Sequence, residues 1–153
     1  MQNFPLVSVI CLSYNHSPFV EEALDSVMNQ TYTNIELIIA DDCSTDNSKK
    51  VIDNWLKKHP NILFIPNVIN LGNTKTFNNA VKHAKGDYFI DLAADDILLP
   101  NCIENQIKTF QNSKYKNLGI VYGNLIEIYE NGNSIRNYYT EEDHPESGDI
   151  YKM

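Results

Sequence analysis

The stretch from Gly86 to Asp96 constrains the fold and the chemistry of this chain more than any other. Residues 88–92 are rich in aromatic and aliphatic side chains, which predicts a short buried strand. Two small residues follow the strand, and then the adjacent carboxylates Asp95 and Asp96. Small residues let a ligand approach the backbone, and paired carboxylates suit a hard divalent cation. A solvated Asp-Asp pair that caps a helix explains this stretch equally well. The other motifs of the chain are needed to choose between a metal site and a helix cap.

Apolar runs and helix-period patterns alternate through about the first 123 residues. The predicted strands are 6–12, 35–40, 62–65, 88–92 and 119–123. Between them, apolar residues at helical spacing predict helices around 19–28, 51–56, 77–84 and 103–110. The first strand is a nearly continuous apolar run, which is typical of a parallel strand covered on both faces. The alternation predicts an α/β fold with a mostly parallel sheet flanked by helices.

The pattern changes after residue 123. Residues 125–129 alternate in polarity, Asn131-Gly132 is a strong hairpin signal, and residues 134–139 suit the returning strand, which predicts a β-hairpin within 124–140. Residues 141–153 are acidic and polar, and we expect a loosely ordered tail there. A chain of 153 residues suits a single domain.

Composition excludes several classes of protein. The formal net charge of −8 disfavours a nucleic-acid binder, which needs a basic face. No apolar stretch approaches membrane-spanning length, and the first residues lack the pattern of a signal peptide. Cys11, Cys43 and Cys102 are far apart, odd in number and without zinc spacing, which favours a reducing compartment. We therefore expect a cytoplasmic location.

Polar residues follow three of the predicted strands. They are Ser13-Tyr14-Asn15 after the first strand, Asp41-Asp42 after the second, and Asp95-Asp96 after the fourth. Ligands of open α/β sheets bind at the carboxyl ends of the strands. An aromatic ring, a carboxylate that accepts a base N–H and a carboxylate pair for a metal together indicate a nucleotide-diphosphate site. Ser44 and Asp46, by contrast, suit caps of the next helix.

These stretches resemble the N-terminal part of a family 2 glycosyltransferase with the GT-A fold. The resemblance rests on residues 7–15, 22–32, 38–46, 70–72 and 84–96, which follow the order and spacing of the family over about the first hundred residues. Each motif alone is weak, and together they are specific. The resemblance implies a C-terminally truncated GT-A domain, because the family's second half would lie beyond Met153.

The resemblance also assigns roles to individual residues. Ser13, Tyr14 and Asn15 would contact the base and ribose, and Asp41 would accept from the base, most often uracil. Asp95 would bind Mg²⁺ or Mn²⁺ on the diphosphate, while Asp96 would either bind the metal or cap the next segment. The remaining expected nucleotide contacts are Asp42, Asn70, Gly72, Lys75 and Ala94.

The implied activity is transfer of a sugar from a nucleotide-sugar donor, with inversion, to a glycan, a lipid-linked or another cell-surface acceptor. Such an enzyme would work in the cytoplasm or at the inner face of the membrane. The catalytic base, a carboxylate, is expected beyond Met153. The sequence does not define the oligomeric state.

Two positions depart from the family pattern. Ala93 stands where the family usually has the first Asp of its metal motif, and Phe77 stands where an Arg often contacts the nucleotide, with Lys75 as a candidate substitute. A nucleotide-binding module without catalytic activity therefore stays open as an alternative. A receiver-like signalling domain fits less well, because Pro66-Asn67 rather than a carboxylate follows the third strand. A dinucleotide-binding fold lacks its glycine fingerprint.

Overall fold

The computed structural model of the chain describes residues 4–140. Contacts divide the chain into two units, Met1–Asn105 and Gln106–Met153, and each is described by itself. The predicted tail at 141–153 lies outside the described residues. The prediction of one domain over residues 1–153 stays a prediction.

A parallel sheet with the strand order β3-β2-β1-β4 forms the centre of the first unit. Its strands are β1 (Val7–Ser13), β2 (Ile35–Asp41), β3 (Leu63–Pro66) and β4 (Tyr88–Ala93). All seven residues of β1 are buried, as the continuous apolar run in the sequence predicts. The predicted parallel sheet is confirmed, with its most apolar strand in the middle.

Helices alternate with the strands. They are α1 (Val20–Met28), α2 (Ser48–Leu56), α3 (Asn73–Ala80) with a following 3₁₀ turn (Val81–His83), and α4 (Cys102–Asn112). These elements match the four predicted helices. Within residues 4–140, no helix combines the length and the apolar character that crossing a bilayer requires.

Side chains alternate between the two faces of the sheet, and both faces are covered. Ile10 and Ile38 belong to a buried cluster to which α3 contributes Ala80 and Phe77. Val9 and Ile39, which point to the opposite face, are fully buried as well. A sheet buried on both faces leaves its strand ends and loops as the accessible surface for a ligand.

At the amino end of the sheet, the Glu36 carboxylate fastens β4 to β1 and β2. It accepts hydrogen bonds from the Ser8 hydroxyl and from the backbone N–H groups of Lys85 and Gly86. Burial raises the pKa of Glu36, but these hydrogen bonds outweigh it and hold the pKa below its ordinary value. The start of β4 is therefore fixed by an ionised carboxylate on β2.

The second unit contains the predicted hairpin. Strand β5 (Ile126–Ile128) pairs antiparallel with β6 (Ser134–Asn137), and Arg136 Nε lies 2.8 Å from Glu127 Oε2 across the pair. Gly132 has a φ of 81°, which explains the need for glycine in this turn. The hairpin prediction is confirmed.

The predicted strand at 119–123 is wrong. These residues form no strand in the structure, and the α/β alternation ends with α4. Ile120 is 64% and Tyr122 49% exposed. An apolar run becomes a strand only where a neighbouring backbone pairs with it and buries its side chains, and the sequence pattern does not reveal whether that neighbour exists.

Gly86 lies just before β4, at a point where the backbone packs closely against Ser8 of β1. A Cβ added there would lie 2.6 Å from Ser8 Oγ and 2.7 Å from the backbone atoms Ser8 N and Tyr88 O. Because backbone atoms cannot move aside cheaply, we expect Gly86→Ala to lower the free energy of unfolding by about 2 kcal/mol. Urea unfolding followed by the fluorescence of Trp55, the only tryptophan, measures this loss.

Gly119→Ala serves as the control, since a Cβ there has nothing within 4 Å. It should change the free energy of unfolding by no more than about 0.5 kcal/mol. Equal stability of the two variants would contradict the tight fit at Gly86.

Candidate functional site

The carboxyl ends of the strands meet at one edge of the sheet. Ser13 is in register with Asp41, and Asp41 with Pro66. Leu12 is in register with Ala93, and the Ala94 N–H donates to the Leu12 carbonyl at 2.8 Å. The convergence of three polar strand ends that the sequence predicts is therefore confirmed.

The residues that follow β1 differ in what they offer. Ser13 is 2% exposed and Tyr14 is 43% exposed. Asn15 has a φ of 61°, a left-handed conformation that Asn tolerates better than most residues. The buried Ser13 Oγ has no hydrogen-bond partner among the described residues, and such atoms usually have one. The Tyr14 ring is thus accessible to a ligand, whereas Ser13 Oγ is a buried polar atom.

A set of hydrogen bonds joins the loop after β1 to the loop after β2. Asn15 Oδ1 accepts from the Thr45 N–H at 2.8 Å, and the Asn15 N–H donates to Ser44 Oγ at 2.9 Å. Asp46 accepts from the Ser17 N–H at 3.0 Å and from the Ser48 N–H at 2.8 Å. Asp46 thus accepts from the N–H of the first residue of α2, as its predicted capping role requires, although Asn47 holds the N-cap position. Ser44, for which the sequence also predicts a cap of this helix, bonds Asp41 and Asn15 instead.

Asp41 is buried, with 1% of its surface exposed. Its Oδ1 accepts from the Ser44 N–H at 2.9 Å and its Oδ2 from the Ser44 hydroxyl. Each carboxylate oxygen keeps a further lone pair. The contact with a nucleotide base that the sequence suggests stays a prediction, because Ser44 covers this carboxylate.

Asp42 holds the loop that follows β3. Its oxygens accept from the N–H groups of Leu71 and Gly72, each at 2.8 Å, and from the side chains of Asn67 at 2.9 Å and Thr76 at 2.8 Å. Burial raises the pKa of Asp42, but the four hydrogen bonds outweigh it and lower the pKa below its ordinary value. In this structure Asp42 braces the loop, and its predicted contact with the nucleotide is untested.

The other loop residues predicted to contact the nucleotide lie nearby in the chain. Gly72 has a φ of 81° and precedes α3, and Asn70 Oδ1 accepts from the Gly72 N–H at 3.2 Å. Lys75 is exposed on the first turns of α3. Phe77, at the position where the family often has Arg, packs with Phe89 at a ring-centroid distance of 5.8 Å. Phe77 therefore serves packing, and Lys75 is the cation that this helix exposes near the loop.

The two carboxylates after β4 are accessible. Ala94 is fully buried, whereas Asp95 and Asp96 are exposed. His16 Nδ1 lies 3.7 Å from Asp95 Oδ1. Although Asp96 is exposed at the surface, the protein around it removes part of its hydration and so raises its pKa; the neighbouring charge of Asp95 raises the pKa further, and His16 partly opposes this. Two adjacent carboxylates that repel each other form a site that a cation would stabilise.

The residues present fit a divalent metal that is shared with a ligand. Among residues 4–140, no three His, Cys, Asp or Glu side chains are grouped to hold an ion by themselves. Mg²⁺ is commonly bound by one or two carboxylates together with the phosphates of a substrate. Asp95 and Asp96 supply that number, and Ser13 Oγ and His16 Nδ1 are buried polar atoms without a hydrogen-bond partner in the described chain.

His16 is the residue of this edge that sequence reasoning did not select. His16 lies in the polar loop directly after Tyr14 and Asn15, and this position is the sequence feature that could have marked it as a site residue. Its proximity to Asp95 depends on β4 lying beside β1, which the sequence pattern does not specify. The proximity of His16 and Asp95 is therefore visible in the structure and not in the sequence.

Comparison with known proteins agrees with this geometry. The model of glycosyl transferase family 2 matches residues 8–151. The chain therefore belongs to glycosyl transferase family 2.

Two relatives illustrate the range of the family. An uncharacterized glycosyltransferase of Methanocaldococcus jannaschii is 34% identical over 139 residues, which are 90% of this chain and 47% of the relative. A chondroitin synthase of Escherichia coli is also 34% identical over 139 residues, 91% of this chain and 20% of the relative. The chain spans about half or less of the length of such relatives.

Solved structures support the GT-A fold. A mannosyltransferase from Pyrobaculum calidifontis, determined in complex with GDP-Man and Mn²⁺, superimposes with a TM-score of 0.66 at 27% identity. The match covers 73% of this chain and 34% of that protein. TarS from S. aureus gives a TM-score of 0.62 at 25% identity, over 69% of this chain and 19% of TarS. The expected fold is confirmed as that of GT-A glycosyltransferases.

The bracing role of Asp42 is tested by Asp42→Asn. The substitution turns one buried acceptor into an N–H donor that faces other donors, so we expect the free energy of unfolding to fall by about 2 kcal/mol. Urea unfolding followed by Trp55 fluorescence measures the change. An unchanged midpoint would show that the loop does not depend on this carboxylate.

Asp46 contributes to stability in a pH-dependent way. Burial raises its pKa, but hydrogen bonds from Ser48 and Ser17 outweigh this and lower the pKa from 3.8 to about 2. A depressed pKa stabilises the folded chain above pH 3.8, and this contribution is lost as the pH falls through about 2. Asp46→Asn should therefore cost ~1 kcal/mol at neutral pH and reduce the slope of stability between pH 4 and 2.

Thermal unfolding of wild type and Asp46→Asn over this pH range measures both effects. Asp53→Asn, on the exposed face of α2, is the matched control and should leave the profile unchanged. Parallel pH profiles for wild type and Asp46→Asn would contradict the assignment.

Proposed function

We propose that this chain is the donor-binding part of an enzyme that transfers a sugar from a nucleoside diphosphate sugar. The observation that carries the proposal is the convergence at one sheet edge of Ser13, Tyr14, Asp41 and the Asp95-Asp96 pair. Two buried polar atoms without hydrogen-bond partners in the described chain, Ser13 Oγ and His16 Nδ1, lie in the loop at that edge. Membership of glycosyl transferase family 2 supports the reaction class.

The base and ribose would bind between the loops after β1 and β2. The Tyr14 ring, which is 43% exposed, offers a flat surface for stacking on the base. Asn15 keeps the two loops together, and Ser13 Oγ, which is buried without a partner among the described residues, would bond the nucleoside once the Ser13 side chain turns toward it. Since Ser44 covers Asp41, the base N–H would reach Asp41 only after the Ser44 hydroxyl turns away. We propose uracil as the base.

The diphosphate would lie above the carboxyl end of β4. Asp95 and Asp96, which are exposed directly after the buried Ala94, would hold Mg²⁺ or Mn²⁺ there. When bound, the metal supplies Lewis-acid stabilisation of the charge on the departing nucleoside diphosphate. The Gly72 turn, held in shape by Asp42, and the exposed Lys75 on α3 would close the remaining side of the site with a positive charge.

We propose that the acceptor site and the catalytic base are not among residues 4–140, since the chain spans about half or less of the length of its relatives. An inverting transfer needs one carboxylate to deprotonate the acceptor hydroxyl, in addition to the donor site. The likeness to a chondroitin synthase supports a glycan as acceptor. We therefore expect nucleotide binding without efficient transfer from this chain alone.

A second candidate is a nucleotide-binding module that lacks transferase activity. Ala93 favours it, since a methyl group stands where the family usually has a metal-motif carboxylate. A longer protein that contains this chain and binds the donor, but neither transfers nor hydrolyses the sugar nucleotide, would establish this alternative.

Calorimetric titration of the chain with UDP, GDP and dTDP, with and without Mn²⁺, tests the proposal. We expect Mn²⁺ to tighten the binding of UDP, and Asp95→Asn to weaken the Mn²⁺-dependent binding by about tenfold or more, because a metal ligand is lost. Asp53→Asn replaces an exposed carboxylate of α2 and should bind like the wild type. Preference for GDP would correct the base, and no binding of any nucleotide would overturn the proposal.

A further inference from the structure

We infer that His16 is a positioning residue that orients Asp95 for the metal by donating a hydrogen bond from Nδ1. This inference rests on the proposed function, because it concerns the metal that Asp95 would hold. It assigns to His16 a role that neither the family motif nor the sequence pattern indicates.

The first observation concerns the hydrogen-bond partners of the His16 imidazole. His16 Nδ1 is buried and has no hydrogen-bond partner among the described residues. Burying a polar nitrogen without a partner costs free energy that native structures normally avoid. An N–H at Nδ1 would need an acceptor, and the described residues supply none within hydrogen-bond distance.

The second observation is the neighbour of that nitrogen. Asp95 Oδ1 lies 3.7 Å from His16 Nδ1, whereas an N–H···O hydrogen bond is about 2.9 Å long. Within residues 4–140, the Asp95 side chain makes its polar contact with His16. A shift of the carboxylate by less than about 1 Å completes a hydrogen bond that both groups lack.

The third observation is that His16 is held more firmly than Asp95. The His16 N–H donates to Ser48 Oγ at 2.9 Å, and its carbonyl accepts from the N–H groups of Phe19 and Val20 at 2.9 and 3.0 Å. The Asp95 side chain is 49% exposed, and that of His16 is 26% exposed. The backbone of His16 is therefore held in place, and the more exposed Asp95 carboxylate is the partner that we expect to move.

Metal-binding carboxylates are commonly held by hydrogen bonds from neighbouring groups, and loss of such a neighbour weakens metal binding by 10–100-fold. Donation to Oδ1 would leave the other oxygen of Asp95 directed at the ion. A site with only two protein carboxylates depends strongly on how each one is oriented.

Three substitutions of His16 separate this role from simple packing. His16→Leu keeps the bulk and removes the donor. His16→Asn places an amide nitrogen close to the position of Nδ1, whereas His16→Gln places it close to the position of Nε2. His83→Leu, at an exposed position of the 3₁₀ turn after α3, is the control.

The affinity for Mn²⁺ is measured from the electron paramagnetic resonance signal of free Mn²⁺, at saturating concentration of whichever of UDP, GDP and dTDP binds the wild type most tightly. We expect His16→Leu and His16→Gln to weaken Mn²⁺ binding by about 10–100-fold. His16→Asn should stay within about threefold of the wild type, since it restores the donor at Nδ1. Nucleotide binding without metal and the melting temperature are measured for each variant, so that a loss of Mn²⁺ affinity is separated from a loss of the nucleotide site or of the fold.

Wild-type affinity for Mn²⁺ in His16→Leu would overturn the inference while the proposed function stands. Retention by His16→Gln together with loss in His16→Asn would overturn it too, because the contact would then involve Nε2. A wild-type chain that binds nucleotide but no Mn²⁺ would remove the metal and this inference together. Absence of all nucleotide binding would remove the proposed function as well, so the two failures are distinguishable.

Discussion

Strand β1 is paired in parallel along both of its edges, to β2 on one side and to β4 on the other, and every position of the candidate site follows from that pairing. The register sets Ser13 beside Asp41 and Leu12 beside Ala93. A slip of one residue would turn each side chain to the opposite face of the sheet. Burial of β1 on both faces prevents that slip, because Val9, Ile10 and Cys11 are all fully buried. The apolar core thus determines which polar residues meet at the edge.

Most carboxylates at this edge are occupied by the protein itself. Asp41 accepts hydrogen bonds from Ser44, and Asp42 accepts hydrogen bonds from the loop after β3. Asp46 accepts a hydrogen bond from Ser17 and so joins the loop after β2 to the loop between β1 and α1. Asp95 and Asp96 differ because they are exposed. The loops around the proposed nucleotide site are therefore shaped by ionised side chains before any ligand binds, which reduces the ordering that binding would require. Among the carboxylates described at this edge, the pair after β4 is the one whose charge is largely uncompensated.

The fold could be predicted from the sequence because apolar periodicity and helix spacing are local signals. The apolar run at residues 6–12 indicates a buried parallel strand, and Asn131-Gly132 indicates a hairpin turn. The prediction of a strand at 119–123 is wrong because an apolar segment forms a strand only beside a neighbouring strand. The local sequence pattern does not show whether such a neighbour exists. The separate roles of Asp41 and Asp42 also escaped prediction. Identical side chains at adjacent positions bind different loops, and the partners of Asp42 lie 25 to 34 positions away in the sequence.

The pairing of β4 with β1 has a consequence for the order in which the chain folds. Contacts between β1 and β2 join residues 28 positions apart, whereas Leu6 and Asp87 at the start of the β1–β4 pair are 81 positions apart. Closing the longer loop costs about 1 kcal/mol more chain entropy, and such distant pairings form slowly. The sheet can thus assemble β1 and β2 early, while β4 and the two carboxylates that follow it dock late. A chain stalled before that step would keep Tyr14 and Asp41 in place but lack Asp95 beside His16, so the proposed metal site would be the last part of this edge to form.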